Sequence, residues 1–467
     1  MATTSFGGIA SGLDTQALID ATINATRQTR VKPNQDRVTE LEGTNTAFED
    51  LTKKLTTLQD ALVPFTTLQG GGVSKTGTSS KESVVSATAT TAASNGSYSV
   101  TVNSLASNHT YSFNQVFASS NTPLQSDLTG AESEADRTLT FTIGTGTEQE
   151  TISVVVPDGS YTAQNFIDAF NSASNKGRAS LVNIGTVASP SYKLVITSLY
   201  EGTDKGTITR SALGGSLTNL SAFSESAAAN SSVTITGIGT ITRSTNNISD
   251  IIPGVTLSLS STGTSTVKIS EDAPATTTKV QQFVDAYNDL VAFVSENNKV
   301  TEEQRGRETV NVFSPLSSSR IDDNVLFAIR SKISEAVASG GVSVRVLADL
   351  GITTQRDGTL KLDSAKLQEA ISSEVSSVSS VLSVLADATA TTSGIINQFT
   401  KFNGLLDLSI NANKTTIDDL NQRIADAEAQ IERQTEQLRA RYARLESLMG
   451  RLQNQQASLT SALAGLG

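Results

Sequence analysis

The chain has no cysteine and no tryptophan in 467 residues, a single histidine, and only 5% aromatic residues. Without cysteine there are no disulfides and no thiolate chemistry, and any metal site is restricted to oxygen donors plus His109. Charge is sparse at 17% and unbalanced, with 35 basic against 46 acidic residues for a net −11. Nucleic acid and anionic membrane surfaces both select a basic face, so neither is expected as a partner. No uninterrupted apolar run reaches the ~18 residues that a membrane-spanning helix needs, so no membrane insertion is expected. Residues 1–13 have neither the basic start nor the apolar core of a secretory signal. What is abundant is Ser, Thr, Ala, Asn and Gly, a balance shared by exported surface proteins. Export without a signal peptide implies a dedicated route.

Regularity is strongest at the end of the chain. Ile410, Ile417, Ile424, Ile431, Leu438, Leu445, Leu452 and Leu459 recur every seven residues. This period keeps one apolar seam facing a partner and predicts a long helix in a left-handed supercoil. Three residues further on, Leu420, Ala427 and Leu448 suit a core, whereas Gln434, Arg441 and Gln455 do not. A half-apolar seam needs partners, from this chain or from other copies. Near the start, Asp14 is placed to cap a helix over 14–31. Leu13 and Leu18 are spaced for a hydrophobic staple, and Ile19 and Ile23 continue an apolar face. Lys32-Pro33 interrupts, and a second helix is expected to about Leu68. On it Leu41, Phe48, Leu55 and Leu62 repeat every seven residues, as do Leu51, Leu58 and Phe65. Two incomplete strips at opposite ends most simply pair with each other.

Between them the period changes to two. Gly70–Gly72 ends the helical part, and a polar run to about Lys81 reads as a linker. Alternating runs then follow at Tyr98/Val100/Val102, Leu139/Phe141/Ile143, Ile152/Val154/Val156, Tyr192/Leu194/Ile196, Val233/Ile235, Val255/Leu257/Leu259 and Val267/Ile269. One amphipathic helix carrying Phe166, Ile167 and Phe170 interrupts them. Some 190 residues exceed an ordinary β domain, so two head domains are expected, 126–230 being inserted into 80–125 and 231–273. After Pro274 helices return, first with Val280, Phe283, Val284, Tyr287, Leu290, Val291 and Val294 behind a Thr276–Thr278 cap. A helix over Val325–Val337 follows Asp322 and Asp323. Asp357-Gly358 predicts a hairpin turn between Ile352–Thr354 and Leu360–Leu362. Asp363 caps a short helix with Leu367 and Ile371, and Gly394 and Gly404 punctuate the approach to the last helix. The expected fold class is α+β and multidomain. Both termini build a long helical coiled-coil stalk, which carries two inserted, mainly-β head domains.

Catalytic constellations are missing. His109 has no nucleophile or carboxylate cluster around it in sequence and reads as a surface residue. Gly144-x-Gly146 and Gly237-x-Gly239 lack the third glycine and following helix of a dinucleotide site, so they read as turns. Asp357 and Asp363 do not have calcium-loop spacing, and Asp322-Asp323-Asn324 reads as helix capping ahead of a weak cation site. No catalytic, metal or cofactor site is expected, and no cofactor. Arg439, Arg441, Arg444 and Arg451 read as a solvated or intersubunit face. These features describe a self-associating structural protein.

Ordered motifs then point to a family. Ile9–Thr15, with Ser11, Gly12, Leu13 and Asp14, resembles the N-terminal signature of the flagellar filament cap proteins, the hook-associated protein 2 family. Asn247–Leu257, Val284–Leu290, Leu347–Ile352, Asp357–Asp363 and Tyr442–Met449 with the glutamine-rich tail resemble further family segments, in order. Similarity is weakest over 115–230. The resemblance implies an axial protein exported through the flagellar type III apparatus, forming a closed ring of about five or six copies at the filament tip. Its β domains would form a plate and its helical domain the legs. The family's partners are flagellin, the hook–filament junction protein and a cytoplasmic export chaperone, the last expected on Tyr442, Leu445, Leu448, Met449 and Leu452.

By this resemblance residues 1–35 and 431–467 form a terminal helical domain, and 36–75 and 274–430 a leg domain. Leu41, Phe48, Leu55, Leu62, Ile417, Leu420, Ile424, Ile431, Leu438, Leu445, Leu452 and Leu459 make the coiled-coil and oligomer seam. Seam residues Gln434, Arg441 and Gln455 would let contacts exchange, or would merely set register, and Gly450 would be a hinge. The near alternatives are flagellin or a hook–filament junction protein. A secreted adhesin-like stalk is the alternative from another class.

Overall fold

The computed structural model describes residues 14–305, 308–337 and 343–464, and these divide into two units. One is built from the two ends of the chain, and the other is Val73–Thr276.

The first unit begins with α1 (Thr15–Arg30), where the Asp14 carboxylate accepts the Ala17 N–H at 2.9 Å as the expected cap. Leu18 is largely exposed, and its staple partner Leu13 lies outside the described residues. The interruption before Pro33 is a single residue, Val31, because proline at a helix start loses no internal hydrogen bond. The following α2 (Lys32–Leu62) ends earlier than Leu68, passing into two 3-10 turns where Pro64 breaks the α ladder. Leu51, Leu55 and Leu58 are completely buried on it, with Phe48, Leu62 and Phe65 nearly so. Gly70, Gly71 and Gly72 all have left-handed φ, the conformation that ends the segment.

In the second unit the strands are β1 (Lys75–Ser79), β2 (Val85–Ala89), β3 (Gly96–Ser104), β4 (Asn108–Phe117), β5 (Thr138–Ile143) and β6 (Glu150–Val155). After α3 (Ala163–Ala173) come β7 (Gly177–Asn183), β8 (Tyr192–Glu201) and the single turn α4 (Thr203–Gly206). Then follow β9 (Ile208–Leu213), β10 (Phe223–Ser226), β11 (Ser231–Ile235), β12 (Gly239–Arg243), β13 (Asn247–Ile252), β14 (Val255–Leu259) and β15 (Gly263–Glu271). Every alternating run named above lies on one of these strands, except that Val156 falls just past the end of β6. The expected linker is corrected at β1, which pairs antiparallel with β15. Its sequence KTGTS carries no apolar side chain, so periodicity had nothing to register at this sheet edge.

Two separate cores result. One collects Val85, Val100, Val102, Val233, Ile235, Leu257, Val267 and Ile269, between the sheet β1-β15-β3-β11-β12 and the sheet β13-β14-β2. The other packs the sheets β10-β4-β8-β7 and β6-β5-β9 with α3 around Tyr111, Phe113, Phe141, Phe166 and Phe170. The rings of Phe141 and Phe170 meet edge-on at 6.0 Å, as aromatic quadrupoles prefer. The expected boundary at 125/126 is therefore displaced. β4, assigned from sequence to the first head domain, buries Tyr111, Phe113 and Phe117 in the second core and pairs with β8. The crossing lies near Ser107, whose backbone bridges Ala229. The glycine pairs are turns: Gly144 and Gly146 join β5 to β6, and Gly237 and Gly239 join β11 to β12, all with positive φ.

His109 is also corrected, being 3% exposed instead of solvated. Its Nδ1 accepts the Ile208 N–H at 3.1 Å, and Nε2 lies 3.5 Å from the Glu225 carboxylate. Its neighbours in sequence, Asn108 and Thr110, are polar and concealed this pairing across strands. Burial holds the imidazole below its ordinary value of 6.5, with Glu225 pulling the other way. The unfolded chain then takes up this proton more readily than the folded one. This contribution to stability is present above pH 6.5 and is lost as pH falls below it. His109→Gln, which retains an acceptor for Ile208, should flatten that dependence in thermal melts. An unchanged slope would remove His109 as its source.

The chain returns through α5 (Ala273–Asn297), on which Val280, Phe283, Val284, Tyr287, Leu290, Val291 and Val294 are buried as expected. Its start is capped by Asp272, which accepts the Ala275 N–H at 2.8 Å, and not by Thr276–Thr278. A carboxylate is the stronger N-cap acceptor, and the helix begins before those threonines. A hairpin of β16 (Val300–Arg305) and β17 (Glu308–Phe313) went unread in the sequence. After α6 (Ile321–Glu335), strands β18 (Ile352–Thr354) and β19 (Leu360–Leu362) form the expected hairpin, with Gly358 at φ 85°. Asp363 caps α7 (Ser364–Ala390), which is long instead of short and is bent at Glu374. It is followed by α8 (Ile395–Thr400) and α9 (Leu405–Ala464).

Candidate assembly interface

The 60 residues of α9 form the longest element, and α1 and α2 both pack along it. Asn413 donates to Asn45 at 2.8 Å, and the Arg27 guanidinium grips Glu428 through Nε and Nη2 at 3.0–3.2 Å. Arg30 donates to Gln430 at 2.9 Å. Later residues of the N-terminal helices thus meet earlier residues of α9, so the strips pair antiparallel. The Arg27–Glu428 pair is half-exposed and is worth at most about 1 kcal/mol. Its value lies in fixing register where the seam itself is weak. Residues some 400 positions apart cannot announce this ladder in one sequence, and it was missed.

Burial along the seam is graded. On the N-terminal side Leu41, Phe48, Leu55 and Leu62 are all buried. On α9 Leu406, Ile410, Leu420 and Ile431 are buried, while Ile417, Ile424 and Leu438 are half-buried. Beyond that the seam opens: Leu445 is 44%, Leu448 58%, Leu452 52% and Leu459 63% exposed. Tyr442 and Met449 are half-buried, and Arg439, Arg441, Arg444 and Arg451 are exposed. Among the described residues the expected seam is therefore closed only over its first part. The helix runs unbroken through Gly450, where a hinge was expected. Ser11, Gly12 and Leu13 lie outside the described residues, and Asp14 serves as the α1 cap.

A further apolar group, Phe402, Leu405 and Leu408, stands exposed where α8 turns into α9. Asn403 there holds a left-handed φ of 55°, and the Asp407 carboxylate accepts its N–H at 2.9 Å. Apolar residues flanking Gly404 were the available signal.

Among the described residues no three His, Asp or Glu side chains converge as a metal-holding group, and no helix is long and apolar enough to cross a membrane. Asp357 accepts from Thr359, and Asp363 caps α7. Asp322 departs from its expected role. The α6 cap position is Arg320, with no side-chain cap bond, and Asp322 sits buried in the first turn. Desolvation pushes its carboxyl up to about 6, and the neighbouring Asp323 charge adds to the rise.

Residues 11–109 match the model for the flagellar hook-associated protein 2 N-terminus, and residues 228–454 match that for its C-terminus. The chain belongs to the flagellar hook-associated protein 2 family. The unmatched stretch between the two models is nearly the extent of the second β core. The chain is 26% identical to the flagellar hook-associated protein 2 of Escherichia coli, over 98% of both chains. It is 27% identical to the B-type flagellar hook-associated protein 2 of Pseudomonas aeruginosa, over 90% of this chain and 89% of that one. In fold it resembles the D1-D2-D3 domains of the Escherichia coli flagellar cap protein, with a TM-score of 0.57 at 24% identity. That likeness covers 79% of this chain and 99% of the other. Membership in the hook-associated protein 2 family makes this a structural flagellar protein of the filament cap class.

Proposed function

We propose that several copies of this chain form the cap at the distal tip of the flagellar filament, where the cap retains exported flagellin and promotes its polymerisation. The observation that carries this reading is the pair of family matches at both ends of the chain, combined with a long terminal helix whose apolar seam opens beyond Tyr442. A helix face of this kind is what a subunit offers to neighbours in an assembly. In this reading copies close into a ring of about five or six, and the protein works outside the cell. Flagellin and the hook–filament junction protein are its extracellular partners. A cytoplasmic export chaperone engages Tyr442, Leu445, Leu448, Met449 and Leu452 before export. Division of the helical unit into a terminal domain (1–35, 431–467) and a leg (36–75, 274–430) belongs to the same proposal.

The test is a strain lacking the gene. Flagellin should appear as monomer in the medium while cells are bald beyond the hook, and restoring the gene should reverse both. Filaments of normal length without the gene would end the cap reading and favour a secreted adhesin.

A further inference from the structure

Two surfaces of the helical unit are left unused by its own packing, and they complement each other. The first is the corner where α8 turns into α9. Phe402 is 87% exposed there, the most exposed phenylalanine among the described residues, and Leu405 and Leu408 stand near it. The left-handed backbone of Asn403, held by the Asp407 carboxylate, fixes the turn that presents it. Lys401, next in the chain, is exposed and, among the described residues, is in no ion pair. The second surface is a groove of about 600 Å3 between α2 and α5. Ala61 and Ala286 supply its apolar lining, and Asp60, Asp285 and Asp289 supply its charge. Asp289 is paired with Lys54 at 2.7 Å. Asp285 accepts from the neutral Gln281 at 2.7 Å, and among the described residues neither it nor Asp60 is in an ion pair.

An aromatic ring left in water forgoes the gain of burial, which a groove with an apolar lining can supply. Protein interfaces place such rings at their centre and charges at their rim. The acidic groove also selects its occupant. It favours an apolar group with a cation beside it and rejects one with an anion beside it. Lys401-Phe402 has the favoured composition. At a net charge of −11 copies of this chain repel one another, so a contact between them needs a local match of opposite charges. Corner and groove are different surfaces, so each copy can use both at once. Such a contact continues from copy to copy and closes into a ring where its rotation allows.

We propose that the Lys401-Phe402 corner of one copy seats in the groove between α2 and α5 of the next. Phe402 then packs against Ala61 and Ala286, and Lys401 faces Asp60 and Asp285. This contact gives the assembly reading above a second set of residues, and it rests on that reading.

Sedimentation velocity on the full chain tests the contact, with thermal unfolding as the check on folding. Phe402→Ser should weaken each contact by about thirtyfold at an unchanged thermal midpoint, the effect of returning one aromatic side chain to water. Lys401→Asp should weaken it by about tenfold, and so should Asp60→Lys combined with Asp285→Lys, because like charges then face each other. Joining all three charge exchanges in one chain should restore assembly, which a merely structural role of these residues would not do. Wild-type assembly that Phe402→Ser leaves unchanged would overturn the contact while the ring reading stands. Failure of the combined exchanges to recover any of the loss would overturn it too. A wild type that stays monomeric at every concentration would end the ring reading and this contact together. Should the aspartate variants not fold, Phe402→Ser decides alone.

Discussion

Leu55→Ala should lower the stability of the helical unit by about 2–5 kcal/mol, the cost of deleting a buried leucine and leaving a cavity. Leu55 is 0% exposed, between Leu51 and Leu58, which are equally buried. α2 is packed by α7, α8 and α9, so no mobile surface is available to collapse into the space. The neighbouring Thr56 is exposed, and Thr56→Ala should change stability by less than about 0.5 kcal/mol. Denaturant unfolding followed by helical circular dichroism separates the two. If Leu55→Ala cost no more than Thr56→Ala, the seven-residue repeat of α2 would not be the core of this unit. Folding of the second β core, built from residues 111–220, should be untouched, because its apolar cluster is separate.

The helical unit was legible because apolar residues repeat over long stretches, and a period sustained across Leu41–Leu62 or Ile410–Leu438 has few structural interpretations. Strands were legible where β-branched or aromatic residues alternate, as at Leu139–Ile143. β1 escaped because Lys75–Ser79 are polar or small, and β10 because Phe223–Ser226 are all exposed. The displaced head boundary has a similar origin. β4 reads as an ordinary strand, and only its partners β8 and β10 reveal which core owns it. Buried polar residues were the least legible. His109 sits between polar neighbours in sequence, and its burial is imposed by an element roughly 100 residues away, while the burial of Asp322 in the first turn of α6 carries no periodic signal. At the interface the apolar positions of α9 could be named in advance. How far the chain closes its own seam could not, because that depends on where α1 and α2 stop covering it.

That stopping point gives the second large effect. Leu445, Leu448 and Leu452 lie on the open part of the α9 seam, where they are 44–58% exposed. Replacing all three with glutamine keeps good helix formers and adds no charge, so the helix itself is not weakened. Stability of the isolated chain should therefore stay within about 0.5 kcal/mol of wild type, as for exposed positions generally. Assembly should respond very differently. Burying a half-exposed leucine against a neighbour contributes about 1 kcal/mol at 25 cal/mol per Å2, so three of them contribute about 3 kcal/mol per contact. Each subunit contact would weaken by about a hundredfold, and every contact in a closed ring is weakened together. Sedimentation velocity should show monomers at concentrations where the wild type assembles, with an unchanged thermal midpoint. In cells the triple variant should release flagellin as the null strain does. Normal assembly by a variant that folds normally would place the subunit contacts elsewhere, and the exposed group Phe402, Leu405 and Leu408 would be the next face to substitute.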